Sequence, residues 1–243
     1  MALEWVLPSL YRVALEHVNA FLIDAGDEGL VLVDAGTPAD AGPILDAVAG
    51  LGREPADVRH VLVTHCHVDH AGGLAELKEA TGAPAYMHPI DAEMVRSGRA
   101  VRPLTRTPGV LDKATYQQLF GDPPSTLPAT DVEHEVLDGE VLDVAGGIKA
   151  VHVPGHCAGQ LAFLWPGGGS GGVLFAADAA ANVAGLSLSP AHEDVEEGKR
   201  SVMRLAGLDF GAACFGHGQD ISNDASARFR EAFGSDLATP AAG

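Results

Sequence analysis

Apolar residues fall along the chain in short, nearly continuous runs, most of them bounded by glycine, proline or aspartate. Such runs suit strands buried on both faces, where no alternation with polar residues is required. The pattern predicts strands over residues 18–23, 30–33, 61–63, 148–153, 161–165, 173–177 and 212–215. Between them the period lengthens. Thr37 and Pro38 form a helix cap and first turn, after which Ile44, Leu45, Val48 and Leu51 share one face. A second helix starts near His70 and carries Leu74 and Leu77. A third spans 194–205, and a fourth spans 224–233 with Phe229, Ala232 and Phe233 on one side.

Strands come first, then strands and helices alternate, then the same rhythm repeats. That order fits two sheets with helices outside them, or a mixed α/β layer fold. The glycine-rich stretch at 167–172 reads as a loose turn, because the strand rhythm continues across it. With no repeat and no linker, residues 1–243 are expected to form a single domain, with a tail that frays beyond Asp236. One segment, 96–130, is rich in Pro, Arg and Thr with little apolar pattern. It holds Arg96, Arg99, Arg102, Arg106 and Lys113, and is expected to be an irregular insertion, either a lid or a solvated excursion.

Composition narrows the partners. The chain is 47% hydrophobic and 20% charged, as ordinary globular proteins are. No apolar run approaches the ~20 residues of a membrane span, and the start lacks a basic segment followed by an apolar one. A cytoplasmic location without membrane association is the expectation. Thirty-three acidic residues against 15 basic give a net charge of −18, which disfavours nucleic-acid binding. Cys66, Cys157 and Cys214 are dispersed and form no CxxC pair, so no disulfide framework is expected. Oligomeric state leaves no signal.

The densest chemistry lies at residues 64–73, THCHVDHAGG, directly after a predicted strand. In extended chain alternate residues point the same way, so His65, His67 and Asp69 are expected to converge. Cys66 and Val68 point away, which makes Cys66 a packed thiol. His70 falls where the chain turns into a helix, and Gly72 and Gly73 let backbone pack close behind. Three further polar residues follow apolar runs: His156 in PGHCAG, Asp178 in FAADAA, and His217 in FGHG. Imidazole and carboxylate are ligands for zinc, iron and manganese. Five histidines and two aspartates exceed what one tetrahedral ion needs and suit two ions sharing a carboxylate. His17, His60, His88, His134, His152 and His192 have no partner motif and are taken as structural or surface residues.

THCHVDHAGG, PGHCAG, Asp178 and GHG in this order resemble the metallo-β-lactamase-fold hydrolases across essentially the whole chain. The resemblance implies a four-layer αββα sandwich of two mixed β-sheets with metals at one edge. It implies one ion on His65, His67 and His156, a second on Asp69, His70 and His217, and Asp178 bridging them. Asp34, in LVLVDAG at the end of its apolar run, would support the site from behind. Two divalent ions, zinc before iron or manganese, would then hydrolyse a small ester, lactone or thioester through a bridging hydroxide, with Asp69 and Asp178 as catalytic carboxylates. The small-molecule substrate would be anionic if the basic 96–113 stretch meets it.

Asp178 as the bridge resembles glyoxalase II-like thioesterases and lactonases. About 26 residues follow His217, too few for the extra helical domain of glyoxalase II. Two alternatives stand beside this reading. Persulfide dioxygenases resemble the pattern but use one iron, here on His65, His156 and Asp178. Their GRTDF-like element is replaced by AANVAGLSLS at 180–189. A non-catalytic metal-binding module is the other.

Overall fold

Leu30 and Leu32 face one side of their strand and Val31 and Val33 the other, and all four are buried. That double burial explains why the run shows no alternation. The computed structural model describes residues 2–120 and 123–234. Its first half runs β1 (Ala2–Leu7), β2 (Leu10–Ala14), β3 (Asn19–Asp24), β4 (Leu30–Val33), α1 (Ala41–Gly50), β5 (Val58–Leu62), α2 (Val68–Ala71), α3 (Leu74–Thr81), β6 (Ala85–Met87), α4 (Pro89–Arg96), β7 (Thr105–Arg106), α5 (Lys113–Phe120) and β8 (His134–Glu135). The second half runs β9 (Val141–Leu142), β10 (Ile148–His152), β11 (Leu161–Trp165), β12 (Val173–Phe175), β13 (Ala180–Asn182), β14 (Leu186–Leu188), β15 (Ala191–His192), α6 (Val195–Ala206), β16 (Ala212–Cys214) and α7 (Ala225–Phe233).

Seven strands form one sheet in the order β1-β2-β3-β4-β5-β6-β8, antiparallel up to β4 and parallel beyond it. Five form the second, β16-β12-β11-β10-β9, in which only β12 and β16 run parallel. The sheets pack face to face through Phe21, Val31, Val33, Phe163 and Phe175, with Phe21 and Phe175 edge-on at 5.5 Å. Leu30, Leu32, Val61 and Val63 turn outward onto Ile44, Val48, Leu74 and Leu77. On the far side Val151, Leu174 and Ala213 meet Val202, Leu205 and Phe229. Three apolar interfaces therefore separate four layers, helix, sheet, sheet, helix, as expected. Each fully buried Phe or Leu contributes on the order of 1.5–3 kcal/mol.

Several local expectations need correction. Residues 2–14 form the hairpin β1–β2, which the apolar runs do not announce; its turn places Ser9 at φ 62°. The first helix starts at Ala41, not Pro38. Thr37 instead donates to Asp40 Oδ2 from its amide (2.7 Å) and Oγ1 (2.6 Å), closing a separate turn. The helix near His70 breaks into α2 and α3 at Gly72 and Gly73, where backbone does pack closely. A Cβ there would fall 2.2 Å from Val68 O or 2.3 Å from Ala35 O.

The 96–130 segment is more structured than its composition suggests. It contains α5, Arg99 bridges to Thr126, and β7 pairs antiparallel with β15. Its basic side chains are largely engaged. Arg96 meets Glu135 at 2.6 Å, Arg102 meets Asp91 and Glu193 at 2.9 and 3.0 Å, and Arg106 donates to Leu111 O. The glycine-rich turn at 167–172 connects paired strands β11 and β12. The tail beyond Asp236 lies outside the described residues. Among those described, no helix is long and apolar enough to cross a membrane.

Candidate metal centre

Four strands of the two sheets end at a common edge and deliver the polar residues there. Asp34 follows β4, His65 follows β5, Asp178 follows β12 and His217 follows β16. His156 arrives on the loop after β10. Backbone bonds lock this edge across the sheets: Leu161 N donates to Thr64 O (2.8 Å) and Asn19 N to Gly216 O (2.8 Å). Asp69 reaches the site differently from the alternation expected. The chain turns into α2 at Val68, so Asp69 and His70 project from a helical turn.

All seven predicted residues come together. His65, His67 and His156 form one triad of potential ligand atoms, and Asp69, His70 and His217 another. Asp178 lies between, grouped with His65 and His70, 3.5 Å from His156 Nε2 and 3.3 Å from His217 Nε2. The first triad is buried. The second is more open, with the Asp69 side chain 30% and the His217 side chain 21% exposed.

Hydrogen bonds on the outer ring nitrogens fix which nitrogen faces inward. Asp34 sits at φ 64° and is buried; its Oδ1 accepts from Thr64 N (2.8 Å) and its Oδ2 from Thr64 Oγ1 (3.0 Å). The same Oδ2 accepts from His70 Nδ1 at 2.8 Å. With its proton spent on Asp34, Thr64 Oγ1 accepts from His65 Nδ1 (3.0 Å). His156 Nδ1 donates to Ala191 O (2.7 Å) and His217 Nδ1 to His17 O (2.9 Å). Four imidazoles thus turn Nε2 toward the centre. His67 is the exception. It turns Nδ1 inward, and its buried Nε2 finds no partner.

This arrangement fits a cation. His67 Nδ1 lies 3.1 Å from His65 Nε2 and 2.9 Å from His156 Nε2, and neither Nε2 carries a proton. One proton on His67 satisfies only one of those contacts, so lone pairs otherwise face lone pairs. Tetrahedral Zn–N bonds of about 2.05 Å separate nitrogens by about 3.3 Å, close to the spacing present. His70 Nε2 and Asp178 Oδ1, 3.5 Å apart, are likewise buried without hydrogen-bond partners.

The two triads differ in charge. Burial lowers His67 to about 4, and burial with the neighbouring His67 lowers His156 to about 4. Burial and the adjoining imidazoles hold His65 well below its ordinary value. Burial also opposes charge on His70, but Asp69, Asp178 and Asp34 outweigh it and raise His70 to about 9. His217 is raised well above its ordinary value against burial, by Asp178 and then Asp69. Those imidazoles in turn lower both carboxyls. Without an ion the first triad is neutral and ready to ligate, whereas an ion at the second must displace protons.

Of the supports, the sequence points to Asp34 and not to the others. Thr64 relays Asp34 to His65. Asn19 Nδ2 donates to Phe215 O (3.0 Å) and Gly218 O (2.9 Å), shaping the loop of His217. Cys66 is a buried thiol, as expected, 3.6 Å from Cys157 Sγ. His192, placed among the structural histidines, is buried 5.8 Å from His156 and bonded to Thr107. A cavity of about 460 Å³ bounded by Glu28, Arg59, His60 and Asp143 opens at the opposite strand ends, away from all these groups.

Comparison with known proteins agrees with the geometry. A probable metallo-hydrolase of Bacillus subtilis, YflN, is 25% identical over 86% of this chain and 83% of its own length. A hydroxyacylglutathione hydrolase of Pseudomonas aeruginosa is 31% identical over 60% of this chain and 41% of its own. The structure of a metallo-beta-lactamase from Cronobacter sakazakii, described by its HARLDQ motif, superposes with a TM-score of 0.70. That match is 26% identical and covers 89% of this chain and 78% of the other. Residues 13–217 match the metallo-beta-lactamase superfamily as a whole, and a likeness over that span, with divalent-metal chemistry built into the fold, means that this chain belongs to the metallo-beta-lactamase superfamily.

Proposed function

We propose that this chain is a dinuclear metal-dependent hydrolase of a small ester, lactone or thioester. The observation that carries it is the inward convergence of four Nε2 atoms and His67 Nδ1, with the outer nitrogen of four rings anchored. His65, His67 and His156 would hold one ion, Asp69, His70 and His217 the other, with Asp178 shared. Divalent ions there, zinc foremost, would supply Lewis acidity and a lowered water pKa.

The chain's own groups would do the rest. Asp178, between the triads, keeps their spacing. Asp69, on the open side with Oδ2 3.4 Å from His217 Nε2, would orient the attacking water and take its proton. The pairing of β7 with β15, next to the carbonyl that anchors His156, supports the 96–130 segment as one wall of the substrate cleft. Arg96 and Arg102 are already matched by carboxylates, so a preference for anionic substrates would fall to Arg99, Arg106 and Lys113. The name of one relative, hydroxyacylglutathione hydrolase, favours acyl over phosphoryl substrates.

Metal quantification on purified protein, beside a panel of esters, lactones, thioesters and phosphodiesters, tests the reading. Two zinc-like ions with hydrolysis of an acyl substrate are expected. One iron with oxygen uptake would replace it by the dioxygenase, and two ions with no substrate by the binding module. Asp178→Asn should lose paired occupancy and activity together. Near-normal activity in that variant would remove the bridging assignment.

A further inference from the structure

Asp91 is completely buried in the first turn of α4, outside the seven converging residues. A buried carboxylate costs several kcal/mol unless its lone pairs are matched, and here all are used. Oδ2 accepts from Cys66 N (3.2 Å) and Cys157 Sγ (3.0 Å). Oδ1 accepts from Gly159 N (3.1 Å) and Arg102 Nη1 (2.9 Å). Cys66 lies between His65 and His67, and Cys157 follows His156 in the chain. One carboxylate therefore ties together the two loops that supply the first triad.

A second strut runs beside it. Arg102 also reaches Glu193 Oε1 (3.0 Å), whose Oε2 accepts from Ala158 N (3.1 Å). The second triad has no bond to this network; its anchors are Asp34 and His17 O.

We infer that Asp91 is a positioning residue for the first metal triad, setting the gap between the His65–His67 loop and the His156 loop. The inference rests on the metal-site reading proposed above. A residue needed only to hold α4 in place would not have to accept from both ligand loops. Asp91→Asn keeps the shape but turns one oxygen into a donor. Whichever way the amide lies, that donor faces N–H groups, either Cys66 N or Gly159 N with Arg102. The loops must then part, and the spacing of His67 from His156 goes with them.

The test is zinc binding to the full chain by chelator competition, with cobalt(II) ligand-field spectra reporting geometry. His67→Ala identifies the equivalent that the first triad holds. In Asp91→Asn that same equivalent should weaken about 10- to 100-fold, the usual effect of losing a support behind a ligand. The equivalent dependent on His217 should stay within about threefold. Equal weakening of both, or of neither, overturns the inference while leaving the metal reading intact. Wild-type protein that takes up no zinc overturns the metal reading and this inference with it. If Asp91→Asn does not fold, Gly159→Ala carries the same test with the charge retained. Its Cβ would lie 2.6 Å from Asp91 Cγ and displace the carboxylate. Wild-type zinc binding in Gly159→Ala overturns the inference too.

Discussion

Replacing Asp34 by Asn changes no shape and removes one charge, yet it should disable both triads. Thr64 N–H, 2.8 Å from Asp34 Oδ1, requires an oxygen at that position. The amide nitrogen must then take the place of Oδ2, facing His70 Nδ1 and Thr64 Oγ1, where two protons are now donated. To avoid donor facing donor, His70 must give up its Nδ1 proton and keep the one on Nε2, the atom turned toward the centre. Thr64 must turn its hydroxyl hydrogen to His65 Nδ1, pushing the His65 proton inward as well. A hydrogen bond to a charged group is worth about 1.5–3 kcal/mol. Loss of a support behind a ligand typically lowers metal affinity about 10- to 100-fold, or about 1.4–2.7 kcal/mol, so the two routes agree. Zinc competition against a chromogenic chelator, on protein shown to be folded by circular dichroism, measures the effect. A folded variant that binds both equivalents within about threefold of wild type would refute the tautomer argument.

Two further outcomes follow from the same geometry. His70, raised to about 9, must lose a proton before it can ligate. Protonation blocks the ion, so raising the pH favours binding. Loss of the His70 proton alone should make affinity at its site climb up to about tenfold per pH unit between 7 and 9, and His217, also raised, steepens that slope. The site of His67 and His156, both near 4, should show no such slope from this source; equal slopes in isothermal titrations across pH would contradict the charge difference. Gly216→Ala would set a Cβ 2.5 Å from His70 Cε1 and 2.7 Å from Asp178 Oδ1. Overpacking of this kind costs about 1–3 kcal/mol. Native mass spectrometry should show the His70-dependent ion lost first, and a variant that retains full occupancy would count against the close packing.

Much of this protein follows from one-dimensional information. The run at 30–33 and its counterparts at 161–165 and 173–175 had to be strands buried on both faces, because they are continuously apolar and too short for helices. The seven converging residues are visible as polar groups placed directly after such runs, with glycine or alanine beside them. Local chemistry suffices for this. A strand's burial and its abrupt polar end are properties of a few neighbouring residues.

Other features had no local signature. Asp69 reaches the centre from a helical turn, not from extended chain, because α2 starts at Val68 and packs Ala71 inward. The hairpin at 2–14 carries arginine and tyrosine among its apolar residues; Arg12 is buried because Glu4 and Asp220 neutralise it from two directions. Nothing local shows that Arg96 and Arg102 of the 96–130 segment are matched by Glu135, Asp91 and Glu193, which lie outside it. Above all, the orientation of each imidazole depends on a distant group. His217 is anchored by the carbonyl of His17, and His156 by that of Ala191. Residue type and order are written locally, so the sequence determines which ligands exist. Which nitrogen faces the metal, and what holds it there, depends on hydrogen bonds between segments up to 200 residues apart, and only the tertiary structure decides them.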